Sequence, residues 1–189
     1  MGKITLILGG ARSGKSAQAL NLAKGVKKVA FIATCQGRDS EMKERILKHK
    51  AVRPGNWKTF EEPKELAGLL AGINDSFDCF IIDCLTLLVS NLLLSGCKDE
   101  AIVYKIKAFL LQLRKKKAKA IIVSNEVGLG IVPDNKLGRR FRDIAGKVNQ
   151  IVARESDEVL FIVSGLPLIV KPSSSLPAGR QGGINEKSK

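Results

Sequence analysis

The sequence predicts a single α/β domain built on a mostly parallel sheet with helices on both faces. Its 189 residues make one domain at about 150 residues per domain, with little left for a second. Five short apolar runs alternate with longer stretches of helical period, and such βα units form parallel sheets. The first run leads straight into Gly9-Gly10-Ala11-Arg12-Ser13-Gly14-Lys15-Ser16, which fits G-x-x-x-x-G-K-[ST], a motif that belongs between a strand and a helix.

The first predicted strand, residues 4–8, is apolar and stopped by glycines. Residues 29–33, 79–82, 121–123 and 159–163 have the same form and read as buried parallel strands, which are apolar on both faces. Helical period marks residues 16–24, 40–49, 63–73, 85–94, 101–117 and 136–154. In the last of these Leu137, Phe141, Ile144, Val148, Ile151 and Val152 make one apolar stripe for packing. Arg139, Arg140, Arg142 and Lys147 fall mainly outside it, on a face toward water. The domain spans residues 1–170. Residues 171–189, rich in Pro, Ser and Gly, have too little apolar surface to offset the entropy of ordering and are expected to form a disordered tail.

Composition narrows the function classes. With 44% hydrophobic and 26% charged residues the chain is neither disordered nor a membrane bundle. Its longest apolar region, 79–94, is interrupted by Asp83, Thr86, Ser90 and Asn91, short of the roughly 20 clean residues of a span. Leu6 stands where a myristoylation signal needs Ser or Thr, and the apolar run at 4–8 is too short for a signal peptide, so a cytoplasmic protein is expected. Cys35, Cys79, Cys84 and Cys97 form no C-x-x-C pair and read as reduced core or near-core thiols, and one histidine, His49, cannot complete a zinc cluster. The net charge of +14 favours anionic partners. The tail carries +3 of it, from Lys171, Arg180, Lys187 and Lys189 against Glu186, so the folded part is itself basic.

The segment 9–16 carries the strongest chemistry. Glycines let backbone N–H groups close around phosphate oxygens at a helix N-terminus, Lys15 adds charge near the β and γ phosphates, and the Ser16 hydroxyl can ligate Mg²⁺. Residues 80–83 form an apolar strand ending in Asp83, which reads either as a second Mg²⁺-directed acid or as a cap on the next helix. Together the two imply a nucleoside triphosphate and Mg²⁺. His49 lies among Arg45, Lys48, Lys50 and Arg53; these cations favour a neutral, nucleophilic imidazole, and a surface histidine at a basic helix end fits the same pattern. The run 114–117 reads as a solvated basic helix end, and aromatics at 5% leave few stacking platforms for nucleic acid. Cys35 follows a strand end and reads as a packing residue that could face the site. Residues 124–133 leave a strand at the sheet edge shared with the phosphate loop, where Asn125 and Glu126 suit a substrate contact.

Several segments together resemble one family, the bifunctional adenosylcobinamide kinase / adenosylcobinamide-phosphate guanylyltransferases of cobalamin biosynthesis. They are the loop at 9–16, Ile-Ala-Thr at 32–34, the Glu-Arg-Ile to Trp-Lys-Thr stretch at 44–59, Asp-Cys-Leu-Thr at 83–86, Asn-Glu-Val-Gly-Leu-Gly-Ile-Val-Pro at 125–133 and Arg-Arg-Phe-Arg-Asp-Ile-Ala-Gly at 139–146. The resemblance covers about residues 3–170 and implies a RecA-like P-loop sheet. It implies two reactions as well: phosphorylation of the aminopropanol hydroxyl of adenosylcobinamide, then attachment of GMP from GTP with release of pyrophosphate. It gives His49 the part of the guanylylated nucleophile. It places nucleotide contacts on Gly9 to Ser16, on Ala33, Thr34 and Cys35, on Lys50, Ala51, Val52 and Arg53, and on Glu61 and Asp83. Mg²⁺ would fall to Ser16 and Asp83, GTP and also ATP would be the nucleotides, and a homo-oligomer, a trimer, would be the assembly, with no nucleic-acid partner. Two other classes remain open from the residues themselves: a P-loop small-molecule or nucleotide kinase without a covalent step, and a nucleic-acid-stimulated ATPase.

Overall fold

A computed structural model of the chain describes residues 2–37, 40, 44, 47, 50, 53–74 and 76–173. Strands β1 (Ile4–Gly9), β2 (Val29–Ala33), β3 (Lys58–Glu61), β4 (Cys79–Asp83), β5 (Lys119–Val123), β6 (Glu158–Val163) and β7 (Leu166–Lys171) form one sheet in the order β3-β2-β4-β5-β1-β6-β7. The first six are parallel to one another, and β7 returns antiparallel to β6. The helices are α1 (Lys15–Leu22), α2 (Leu66–Gly72), α3 (Leu85–Leu94), α4 (Asp99–Lys115) and α5 (Lys136–Glu155). None of the helices among the described residues is long and apolar enough to cross a membrane.

The period-2 alternation of the strands divides the core between two layers. Ile4, Leu6, Ile32, Phe80, Ile82 and Ile122 point to one face, where α2, α3, α4 and α5 cover them. Ile7, Phe31, Ile81, Val123 and Ile162 point to the other, against Ala19 and Ala23 at α1. Among the described residues helices thus lie on both faces, as expected, with α2 to α5 on one side and α1 on the other; most of the helix expected at 40–49 lies outside the described residues. Cys79 and Cys84 are buried, and burial pushes their thiols up to about 11 and about 12, so both stay protonated packing residues at neutral pH.

Two strands lie outside the expected set. β3 is a four-residue edge strand, Lys-Thr-Phe-Glu, mostly open to solvent, so it carries neither an apolar run nor an alternation. β7 follows a turn in which Ser164 and Gly165 have φ of 49° and 85°, the positive values that suit a tight hairpin. Its Pro167 is tolerated because β7 is an edge strand. Lys171, expected as the first tail residue, closes β7, and its ammonium donates to the Ala153 and Arg154 carbonyls at the end of α5. Residues 174–189 of the expected tail lie outside the described residues. In the α5 stripe Ile144, Val148 and Val152 are buried, whereas Leu137 is half exposed because the first turn packs on the preceding connection and not on the sheet.

The basic helix end at 114–117 is likewise more tied down than expected. Arg114 Nη1 donates to Asp157 Oδ2 at 2.8 Å and Nη2 to Oδ1 at 3.3 Å, while Lys116 Nζ donates to the Ile73 carbonyl at 2.6 Å. Asp157 also accepts from the Ile4 N–H at 2.7 Å, so one carboxylate links α4 to the starts of β1 and β6. Burial works to raise the Asp157 pKa, but the hydrogen bonds from Arg114 and Ile4 and the charges of Arg114 and Lys171 outweigh it and leave it lowered. A carboxyl depressed in the folded state stabilises the fold above its unfolded pKa of about 3.9 and loses that contribution as pH falls through the folded value. Urea midpoints of the wild type and Asp157→Asn should therefore differ at pH 7 and converge below about pH 4. Parallel curves down to pH 3 would show that this pairing contributes nothing.

Candidate active site

The phosphate loop owes its shape to two glycines. Gly14, at the N-cap of α1, has φ of 101°, a left-handed conformation that side chains disfavour. A Cβ on Gly9 would lie 2.6 Å from the Ile162 carbonyl oxygen and 2.7 Å from Ser13 Oγ, so only glycine fits between β6 and the loop. Gly10 differs: a Cβ there would meet nothing within 4 Å, which leaves bare backbone facing open space, as close approach of a phosphate requires. The β6–β7 turn braces the loop from outside, with the Gly165 N–H donating to the Ser13 carbonyl at 2.9 Å. Arg12 stands exposed beside Ala11 at the tip of the loop.

Lys15 is buried at the first position of α1, and its ammonium donates back to the Gly10 carbonyl and, at 3.4 Å, to Ser13 Oγ. The charge is thereby held over the loop. Ser16 Oγ donates to Asp83 Oδ2 at 2.9 Å. This pair is a product of topology, because β5 lies between β1 and β4 and separates their ends by two strand spacings of about 4.8 Å. α1 packs against both β1 and β5, which brings Ser16 to the carboxylate.

Strand register assembles the rest. Glu61, Ala33, Asp83 and Val123 are successive partners across β3, β2, β4 and β5, forming a row at the carboxyl edge of the sheet. Thr34, the next residue, is fully buried; its hydroxyl donates to the Cys84 carbonyl at 2.7 Å and accepts from the Cys84 N–H at 2.8 Å. That hydroxyl thus fixes the end of β2 against the residue after Asp83. Asn91 of α3 donates to the Thr34 carbonyl at 2.8 Å, and Cys35 is half-buried beside it. Lys50 Nζ lies 2.6 Å from Glu61 Oε1; both groups are exposed, so the pair adds little stability but holds a cation at the row. The Arg53 guanidinium stacks on the Phe31 ring, 3.6 Å from its centroid. Burial lowers the Arg53 pKa while the charges of Asp83 and Glu61 raise it, and its buried Nε has no hydrogen-bond partner. His49, Ala51 and Val52, like Arg45 and Lys48, lie outside the described residues.

A buried polar network behind the site joins Thr86 and Asn125, from two of the quoted segments, to Ser124 and Asn149, and spacing does not reveal it. The Thr86 and Ser124 hydroxyls are 3.2 Å apart, Ser124 Oγ donates to Asn149 Oδ1 at 2.7 Å, and Asn149 Nδ2 donates to the Asn125 carbonyl at 3.1 Å. The Asn125 N–H closes the circuit on Thr86 Oγ1 at 2.6 Å. Glu126 N–H then donates to the Gly9 carbonyl at 3.0 Å, tying the end of β5 to the phosphate loop. The sequence signal is confined to Thr86 within the apolar helix α3 and Ser124 directly after the apolar run of β5, since buried polar groups must find partners.

As a Mg²⁺ site, the Ser16–Asp83 pair supplies a hydroxyl and a carboxylate, hard oxygen donors of the type this ion takes. No group of three or more His, Cys, Asp or Glu occurs among the described residues, so the remaining ligands would be phosphate oxygens and water, the usual arrangement for Mg²⁺.

Residues 5–170 match the family model described as cobinamide kinase / cobinamide phosphate guanyltransferase. The chain is 45% identical over 168 residues to the bifunctional adenosylcobalamin biosynthesis protein CobP of Pseudomonas aeruginosa, covering 88% of this chain and 96% of that protein. It is 40% identical over 178 residues to CobU of Salmonella typhimurium and 41% identical over 179 residues to CobU of Escherichia coli. Each of these alignments covers 88% of this chain and 98% of the relative.

Proposed function

The chain belongs to the cobinamide kinase / cobinamide phosphate guanyltransferase family, and on that premise we propose that its phosphate-loop edge runs both reactions of a bifunctional cobalamin-biosynthesis enzyme. The observation that carries the reading is the convergence of Lys15 and the Ser16–Asp83 pair at one phosphate loop, within a chain whose residues 5–170 match the family. In the first reaction the aminopropanol oxygen of adenosylcobinamide bonds to the γ-phosphorus of the nucleotide. The bond from that phosphorus to the βγ-bridging oxygen breaks, the diphosphate leaves, and the hydroxyl proton passes to solvent. Loop N–H groups and Lys15 neutralise charge on the transferring and leaving oxygens. Mg²⁺, held by Ser16 and Asp83, would supply further charge neutralisation at the β and γ oxygens.

In the second reaction the His49 imidazole attacks the α-phosphorus of GTP, the bond to the β-phosphate oxygen breaks, and pyrophosphate leaves. The phosphate of adenosylcobinamide phosphate then bonds to the GMP phosphorus as the P–N bond breaks, returning His49. Lys50, Ala51, Val52 and Arg53, with Glu61 and the segment Ala33–Cys35, complete the nucleotide contacts. Arg53, stacked on Phe31 beside the strand end that carries Ala33, puts a cation at this edge. GTP is the guanylyl donor, and ATP or GTP the phosphoryl donor. The basic surface serves phosphorylated ligands and not nucleic acid, which the few aromatic residues support. A cytoplasmic homotrimer is the assembly on the strength of the family resemblance.

The test is turnover by purified protein supplied with adenosylcobinamide, Mg²⁺ and ATP or GTP, run alongside Asp83→Asn. Phosphorylated and then GDP-linked cobinamide should form, and the variant, which keeps the size of the side chain and removes its charge, should lose about 100-fold in kcat/KM and need more Mg²⁺. Unchanged activity and Mg²⁺ dependence in Asp83→Asn would remove the metal role; nucleotide hydrolysis stimulated by DNA without any corrinoid product would favour the ATPase class instead.

A further inference from the structure

The connection from β5 to α5 is held rigid at both ends yet displays apolar side chains to solvent. At its start the Glu126 N–H is bonded to the Gly9 carbonyl at 3.0 Å and the Gly128 N–H to Glu126 Oε1 at 2.6 Å. At its end Arg139 Nη1 donates to the Pro133 carbonyl at 3.0 Å and the Asp134 carbonyl at 2.7 Å. Asn135 caps α5 by accepting from the Gly138 N–H at 2.7 Å, and Gly138 lies so close beneath Pro133 that a Cβ would stand 2.8 Å from the proline's Cβ. Between these anchors Leu129, Ile131 and Val132 are 80%, 96% and 60% exposed. Single exposed apolar residues are ordinary, but three within four positions of a fixed loop form a patch, and such patches mark binding surfaces.

We propose that Leu129, Ile131 and Val132 form the docking surface for the corrin macrocycle of the acceptor substrate. The proposal deepens the kinase reading and rests on it. Position selects the occupant: β5 pairs directly with β1, and the Glu126–Gly9 bond joins the loop to the backbone that cradles the phosphates. An acceptor delivering its hydroxyl to the γ-phosphorus must lie against the carboxyl edge of the sheet at this point. A corrin ring is large, with hydrocarbon edges and faces between its amide arms, and it demands apolar contact beside a few polar groups. Leu129, Ile131 and Val132 supply the first; Asn125 and Glu126, half-buried at the base of the same loop, supply the second. The rigid anchoring matters because a pre-ordered loop loses little entropy when the ring settles on it.

The experiment compares wild type with the triple variant Leu129→Ser, Ile131→Ser, Val132→Ser, which leaves every anchor intact. Cobinamide binding is read by equilibrium dialysis, using its own absorbance. KM for adenosylcobinamide, Kd for a non-hydrolysable GTP analogue, thermal midpoint and mass by light scattering are measured in parallel. The expected result is a rise of roughly 10-fold or more in both cobinamide Kd and adenosylcobinamide KM, with nucleotide Kd, melting and mass unchanged. The conservative set Leu129→Ile, Ile131→Leu, Val132→Ile should restore most of the binding. Unchanged cobinamide binding in the serine variant would overturn the proposal, and so would a fall in mass, which would make the patch an interface between copies. Wild-type protein that bound cobinamide without phosphorylating it would defeat the kinase reading, while loss of that binding in the serine variant would still support the docking surface.

Discussion

Lys15→Ala lowers kcat/KM for both phosphoryl and guanylyl transfer, by roughly 100- to 1,000-fold each, the range typical of removing one preorganised charge-stabilising donor. Lys15 is buried, and its ammonium is held over the loop by the Gly10 carbonyl and Ser13 Oγ. Alanine removes the buried cation of the loop and leaves the loop's glycines and the Gly165–Ser13 brace in place. Folding should therefore survive, and circular dichroism with thermal melting would establish that it does. Both activities should fall on the proposed reading, in which the triphosphates of the two reactions use the phosphate loop at residues 9–16. The measurement is steady-state kinetics of each half-reaction with its own substrate. If guanylyl transfer kept the wild-type kcat/KM while phosphorylation disappeared, the two reactions would use separate triphosphate sites.

His49→Ala divides the activities. Incubated with α-labelled GTP and Mg²⁺ and then denatured, the wild type should retain label in an acid-labile, alkali-stable bond, the signature of a phosphoramidate, and the variant should retain none. Guanylyl transfer should fall by at least about 1,000-fold, whereas phosphorylation of adenosylcobinamide should stay within about 10-fold of wild type, because transfer of a γ-phosphoryl group to a hydroxyl needs positioning and charge neutralisation and no protein nucleophile. Lys48, Lys50 and Arg53 flank His49 in the sequence and would supply positive charge for the transferring and leaving phosphates. Wild-type guanylyl transfer in His49→Ala would sink the covalent route. Equal loss of both activities with a lowered melting temperature would trace instead to damaged folding.

The elements with a strong local signal were legible in the chain. β2 and α3 occupy the residues that apolar runs and helical period indicated, and the loop from Gly9 to Ser16 joins a strand to a helix as its motif requires. Asp83, read as the end of an apolar strand, is the last residue of β4. β3 and β7 were not legible: one is too short and polar to show a period, and the other exposes apolar residues on an edge. Arg114 looked like part of a solvated run, and its partner Asp157 lies 43 residues away.

By itself, then, the sequence determined the alternation of strands and helices, the phosphate loop, the basic charge and, through six ordered motifs, the family. These properties depend on residue type at short spacing: periods of 2 and 3.6, a glycine where φ must be positive, a lysine and serine at the head of a helix. Tertiary structure alone decided that Ser16 meets Asp83 and that Thr34 bonds Cys84. It likewise decided that Thr86, Ser124 and Asn149 close one buried network behind Asn125, and that a loop with exposed apolar side chains is bonded to the backbone of Gly9. Each of these joins residues from different strands or helices, so it follows from strand order and register. Those are set by packing of the whole sheet between its two helical layers, and local periodicity carries no record of them.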